Sequence, residues 1–90
     1  MTTPVLRLGS DVLYTLTAAD CDAIDTQYPP GPGFAPPTRS EVAAGEVLPA
    51  VVTALGDGTV NLKVLLDGAG AYWARNVGEG TGPGTWAWPA

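Results

Sequence analysis

Five prolines between residues 29 and 37 divide this chain into two parts that obey different rules. The run Gln27-Tyr-Pro-Pro-Gly-Pro-Gly-Phe-Ala-Pro-Pro-Thr-Arg-Ser40 excludes helix and central strand, because each proline lacks an N–H and fixes φ. Fixed φ makes such a segment extended and fairly stiff. Unstructured loops longer than roughly 12–15 residues are uncommon in small domains and are usually functional or disordered. The whole span 27–44 is therefore expected to be a long Pro/Gly-rich loop that displays Tyr28 and Phe34.

Before the loop, Val12-Leu-Tyr-Thr-Leu16 alternates, which predicts a short strand with Val12, Tyr14 and Leu16 on one face. Thr17-Ala-Ala-Asp20 then reads as a helix start, with a hydroxyl at the N-cap and a carboxylate three residues on. The helix is expected to reach about Thr26. Ala18, Cys21 and Ile24 would form its buried stripe, with Asp20, Asp22 and Asp25 on its solvated side.

After the loop the pattern is that of a β-meander. Residues 46–55 are apolar on both faces, as in a curled sheet or barrel, and Pro49 calls for a bulge or an edge. Gly56-Asp57-Gly58 is a hairpin turn. Thr59 to Leu66 alternates cleanly, with Val60, Leu62, Val64 and Leu66 inward and Asn61 and Lys63 outward. Asp67-Gly-Ala-Gly70 turns the chain again, and Tyr72 to Val77 is a further strand with Trp73 expected in the core. Residues 78–84 are glycine-rich and are expected to be a flexible connector. Trp86 and Trp88 share a face, either filling the core or offering an aromatic contact surface. The sum is one mainly β domain over residues 1–90: a small SH3-like or OB-like barrel with one short helix, an N-terminal arm (1–10) and the Pro-rich loop. A plain sandwich is the main alternative.

Composition narrows the chemistry. Ninety residues bury a thin core. One cysteine, Cys21, permits no intrachain disulfide, and there is no histidine to hold zinc or activate a nucleophile. Asp57 and Asp67 precede turn glycines, and the aspartates near the helix start favour its dipole, so the carboxylates have structural explanations. Gly78-Glu-Gly-Thr-Gly-Pro-Gly84 lacks the Gly-Lys-Ser/Thr ending of a phosphate loop. No enzyme, metal site or cofactor is expected. Net charge −5, with Arg7, Arg39, Lys63 and Arg75 scattered singly, disfavours nucleic acid. No signal peptide is visible after Met1, and no run approaches the ~20 apolar residues of a membrane span.

What remains is protein binding. Aromatic grooves of SH3-like barrels dock proline-rich segments, and this chain contains both halves of that pairing. The expected contact residues are Tyr28, Pro29, Pro30, Pro32, Phe34, Pro36 and Pro37 in the loop, with Trp86 and Trp88. Self-association is open to it, since the loop of one copy could cover the aromatics of another.

Several stretches carry a resemblance: residues 11–20 (Asp-Val-Leu-Tyr-Thr-Leu-Thr-Ala-Ala-Asp), 45–52 (Gly-Glu-Val-Leu-Pro-Ala-Val-Val) and 60–68 (Val-Asn-Leu-Lys-Val-Leu-Leu-Asp-Gly). Trp73 and the ending Gly84-Thr-Trp-Ala-Trp-Pro89 complete the pattern. Together they resemble a group of small structural and accessory proteins of tailed phages that infect actinobacteria. The similarity spans most of the chain outside residues 27–40. The position between the last two tryptophans is often histidine in that group and is Ala87 here, so no role of that histidine carries over. The resemblance implies a virion protein assembled in the host cytoplasm, first of all a capsid decoration (cement) protein on the major capsid protein. A head–tail connector or tail accessory protein, or a non-virion phage protein that binds a host protein, is the alternative.

Overall fold

In chain order the elements are β1 (Asp11–Thr15), α1 (Ala18–Gln27), β2 (Val47–Leu55), β3 (Val60–Leu65), β4 (Ala71–Glu79) and β5 (Thr85–Ala87). The structure is a computed structural model, and it describes residues 5–27, 41–68 and 70–89. The Pro-rich run 28–40 lies outside the described residues.

The five strands close into a barrel in the order β1-β2-β3-β4-β5, with β5 returning to β1. Neighbours follow chain order, so the barrel is a meander. It is neither a sandwich nor the Greek key that defines an OB-fold. An odd number of strands cannot alternate in direction all the way round. One neighbouring pair must be parallel, and that pair is β4–β5, with Gly78 beside Thr85 and Glu79 beside Trp86.

Parallel neighbours ordinarily need a crossover of a dozen or more residues. Here residues 80–84 suffice, and their glycines explain how. A Cβ on Gly80 would stand 2.8 Å from Thr85 Cγ2, and Gly84 sits at φ +81° against Thr17. The backbone N–H of Gly80 donates to Trp86 O at 2.9 Å, and that of Gly84 to Thr15 O at 2.8 Å. The stretch expected to be a flexible connector is therefore fixed on both sides. Its first two residues, Gly78 and Glu79, belong to β4.

The core follows the alternation read from the sequence. Val12, Tyr14 and Leu16 point inward from β1 and its continuation; Val60, Leu62, Val64 and Leu66 do so from β3 and the residue beyond it. From β2, Leu48, Ala50 and Val52 are buried and Val47 is exposed on the outer face, while Leu55, beyond the register shift and paired with Val60, is exposed at the strand's end. Pro49 pairs with Leu13 at a point where the ladder to β3 has not begun, since that ladder starts at Ala50 and Val64. It therefore sits at a local edge, and the register shift of β2 falls further on, between Val52 and Ala54. A second shift, between Val60 and Leu62, faces Asn76 at φ 56°. Asn76 N–H donates to the Asn61 side-chain oxygen at 3.0 Å, which replaces the ladder bond the bulge removes. Asparagine tolerates that left-handed backbone better than most residues.

The N-terminal arm is tied to the sheet at its end, with Gly9 N–H on Val52 O and Val52 N–H on Ser10 O.

Gly84→Ala should destabilise the fold by about 1–2 kcal/mol through its left-handed backbone. Gly82→Ala, whose Cβ meets nothing within 4 Å, should change stability little. Urea unfolding of the two variants checks the pair; equal losses would mean that residues 80–84 are not a fixed closure.

Candidate functional site

Two groupings of side chains stand out, one inside the barrel mouth and one on its outer wall. The inner one begins with the helix start. Thr17 caps α1: Asp20 N–H donates to Thr17 Oγ1 at 2.9 Å, and Thr17 N–H donates to Asp20 Oδ2 at 2.8 Å. The expected capping arrangement is present, but Asp20 is not on a solvated face. It is buried, and two tyrosines converge on it. Tyr14 OH from β1 donates to Oδ2 at 2.5 Å, and Tyr72 OH from β4 to Oδ1 at 2.8 Å. The expected stripe of α1 is corrected accordingly: Ile24 and Asp20 are buried, Cys21 is half-buried and Ala18 is exposed.

The electrostatics follow from the geometry. Burial pushes the Asp20 pKa up, but the hydrogen bonds from Tyr14, the Thr17 backbone and Tyr72 outweigh it and hold the carboxyl below the usual range. Burial and the Asp20 carboxylate push Tyr72 up to about 12 and raise Tyr14 further still. Burial also raises the Cys21 thiol, as do the carboxylates of Asp20, Asp25, Asp22 and Glu46. No member of this cluster exchanges a proton near neutral pH, and the thiol is held away from its nucleophilic form. The cluster joins β1, β4 and α1.

The outer grouping centres on Trp73. Expected in the core, this side chain is 58% exposed. Alternation decides it: Ala74 points inward beside Leu62, so Trp73 points out beside Lys63. Arg75, two residues on and on the same face, lies over the indole with Cζ 4.9 Å from the ring centroid. Beside them is an open hollow of about 290 Å³ lined by Gln27, Thr53, Lys63, Ala71, Tyr72 and Trp73. Leu65, two residues beyond Lys63 on the same face of β3, is also exposed. Of the three described basic side chains, Arg7, Lys63 and Arg75, two stand at Trp73. Aromatic and arginine side chains are enriched at protein contact surfaces.

The contact residues expected from the sequence separate into three groups. Tyr28, Pro29, Pro30, Pro32, Phe34, Pro36 and Pro37 lie outside the described residues. Trp86 is 5% exposed and belongs to the core, the first of its two readings. Trp88 is half-buried against that core and meets Trp86 edge to face, with centroids 5.4 Å apart and planes at 90°. Trp73 as a surface residue was missed: strict alternation back from Val77 puts it inside, and only the irregularity in the pairing between Ala74 and Val77 turns it outward. Among the described residues no group of three His, Cys, Asp or Glu is placed to hold a metal.

Comparison with protein-family models, with curated proteins and with solved structures finds no match to this chain.

The Asp20 cluster gives the fold a definite pH window. Asp20 has a lowered pKa when folded, so its stabilisation is present above the ordinary carboxylate range and is lost as pH falls through the folded value. The tyrosines have raised values, so their contribution is present below about 10 and is lost as pH rises through about 12 for Tyr72. Tyr14→Phe should cost about 1–3 kcal/mol at pH 7 and make the acid side of the profile shallower. Denaturation followed from acid through alkaline pH checks both effects. An unchanged acid side would show that Tyr14 does not hold the Asp20 charge.

Proposed function

We propose that this chain is a non-enzymatic protein-docking barrel of a tailed-phage particle, first of all a decoration protein seated on the major capsid protein. The observation that carries the docking reading is the outer wall: an exposed tryptophan braced by an arginine, with exposed Leu65 close by on the neighbouring strand. Sites on sheets are held more firmly than sites on loops, and a rigid aromatic anchor loses little entropy on contact. The non-enzymatic reading is supported by the Asp20 cluster, whose carboxylate is fully engaged, and by the absence of histidine from the sequence. The phage setting is supported by the resemblance of residues 11–20, 45–52, 60–68 and 84–89 to small phage proteins. The Pro-rich run, with Tyr28 and Phe34 as anchors, is the natural second attachment element, because a stiff segment is already restricted before it docks.

Quantitative mass spectrometry of purified virions should find this chain in many copies per particle. A handful per particle would favour the connector or tail role, and none would remove the virion reading. Trp73→Ala should leave the unfolding transition within roughly 0.5 kcal/mol of wild type, since its side chain is largely exposed. The same change should release the protein from particles at lower salt. Unaltered retention would transfer the docking role to residues outside this wall.

A further inference from the structure

Four strands carry one row across the barrel: Asp11 beside Val51, Val51 beside Lys63, and Lys63 beside Trp73. On one side of that row exposed Leu65 stands opposite Ala71. On the other side Arg75 lies over the indole. The wall therefore runs from an aliphatic end, through Lys63 and the ring, to a guanidinium.

Neither cation is neutralised from within. The chain has nine carboxylates and four basic side chains. Yet among the described residues neither Lys63 nor Arg75 makes an ion pair. The carboxylate in the row, Asp11, lies two strands from Lys63, about 10 Å away at the usual strand spacing. Both cations are exposed, so their charge faces outward beside the ring.

We infer that the protein surface on which this wall docks is acidic: it presents carboxylates to Lys63 and Arg75 and an apolar contact to Trp73 and Leu65. The inference rests on the docking reading and adds the chemistry of the partner. Charge complementarity carries it, since two unpaired cations on an acidic chain are left for a partner to match. Arginine fits a carboxylate with two parallel N–H bonds, and the ring restrains Arg75 before contact. A phosphate backbone is the poorer fit. Two cations release few counterions, and a phosphate row gives Leu65 nothing to pack on. Net charge −5 opposes approach to any anionic surface, so the local pairs and the apolar contact supply the hold.

Lys63 is the only lysine of the chain, which gives a direct test. A zero-length carbodiimide joins an amine to a carboxylate in contact with it. In treated virions, mass spectrometry should find Lys63 joined to an aspartate or glutamate of the protein beneath. Lys63→Arg should lose that cross-link and keep attachment. Lys63→Glu and Arg75→Glu, both at exposed positions, should keep the unfolding transition. Each should weaken rebinding to particles assembled without the protein at least ~10-fold, by setting like charges together. Reversed variants that rebind as wild type does, or no cross-link at Lys63, would overturn the inference; release of Trp73→Ala under the same conditions would leave the docking reading standing. Detachment by nuclease, or Lys63 joined only to a second copy of this chain, would also overturn it. Full retention of Trp73→Ala would remove the docking reading and this inference with it.

Discussion

The structure hangs on one carboxylate. Asp20 receives a phenol from β1, a phenol from β4 and the backbone N–H of Thr17, the cap of α1. A charge in that position is costly without partners, and here three donors compensate it. The consequence is geometric as much as energetic. β1 and β4 are not neighbours in the barrel, since β5 lies between them. Their joint grip on Asp20 therefore sets the barrel's width at that end and seats the helix across it. In a domain with so thin an apolar core, a shared polar joint of this kind does work that larger domains leave to packing.

Much of the fold was legible because period-two alternation is a strong signal where one face is buried. Val60 to Leu66 and Val12 to Leu16 point as their patterns predict, and Thr17 caps the helix that follows. The misreadings share one cause: long-range pairing that no local pattern encodes. Asp20 reads locally as a solvated cap residue; only the approach of Tyr72, fifty-two residues away, makes it a buried acceptor. Trp73 reads as core because large rings usually are, and only its register against Lys63 turns it outward. The glycines of residues 78–84 read as slack because their function, steric permission for a parallel turn-back, depends on Thr85 and Thr17 standing close by. Asn61 is the instructive middle case. Its outward orientation was plain, but its task of capping the bulge at Asn76 belongs to the folded sheet.

Polar chemistry is thus partitioned by radius. Inside the mouth, charge is locked, with proton affinities driven far from neutrality. Outside, the exposed tryptophan stands with Lys63 and Arg75 beside it. The outer face can therefore vary without disturbing the joint that holds the barrel.

The parallel closure has a consequence for how the molecule comes into being. β5 is the strand that completes the ring between β1 and β4, so residues 85–87 must be present before the first strand can find its second neighbour. On the ribosome, the hairpins β2–β3 and β3–β4 can form as they emerge, because their partners are close in sequence. The seam cannot. For a time the nascent chain carries β1 and β4 with open edges, and such edges are templates for pairing with other chains. The tight glycine return that delivers the three-residue β5 keeps the search for that seam short.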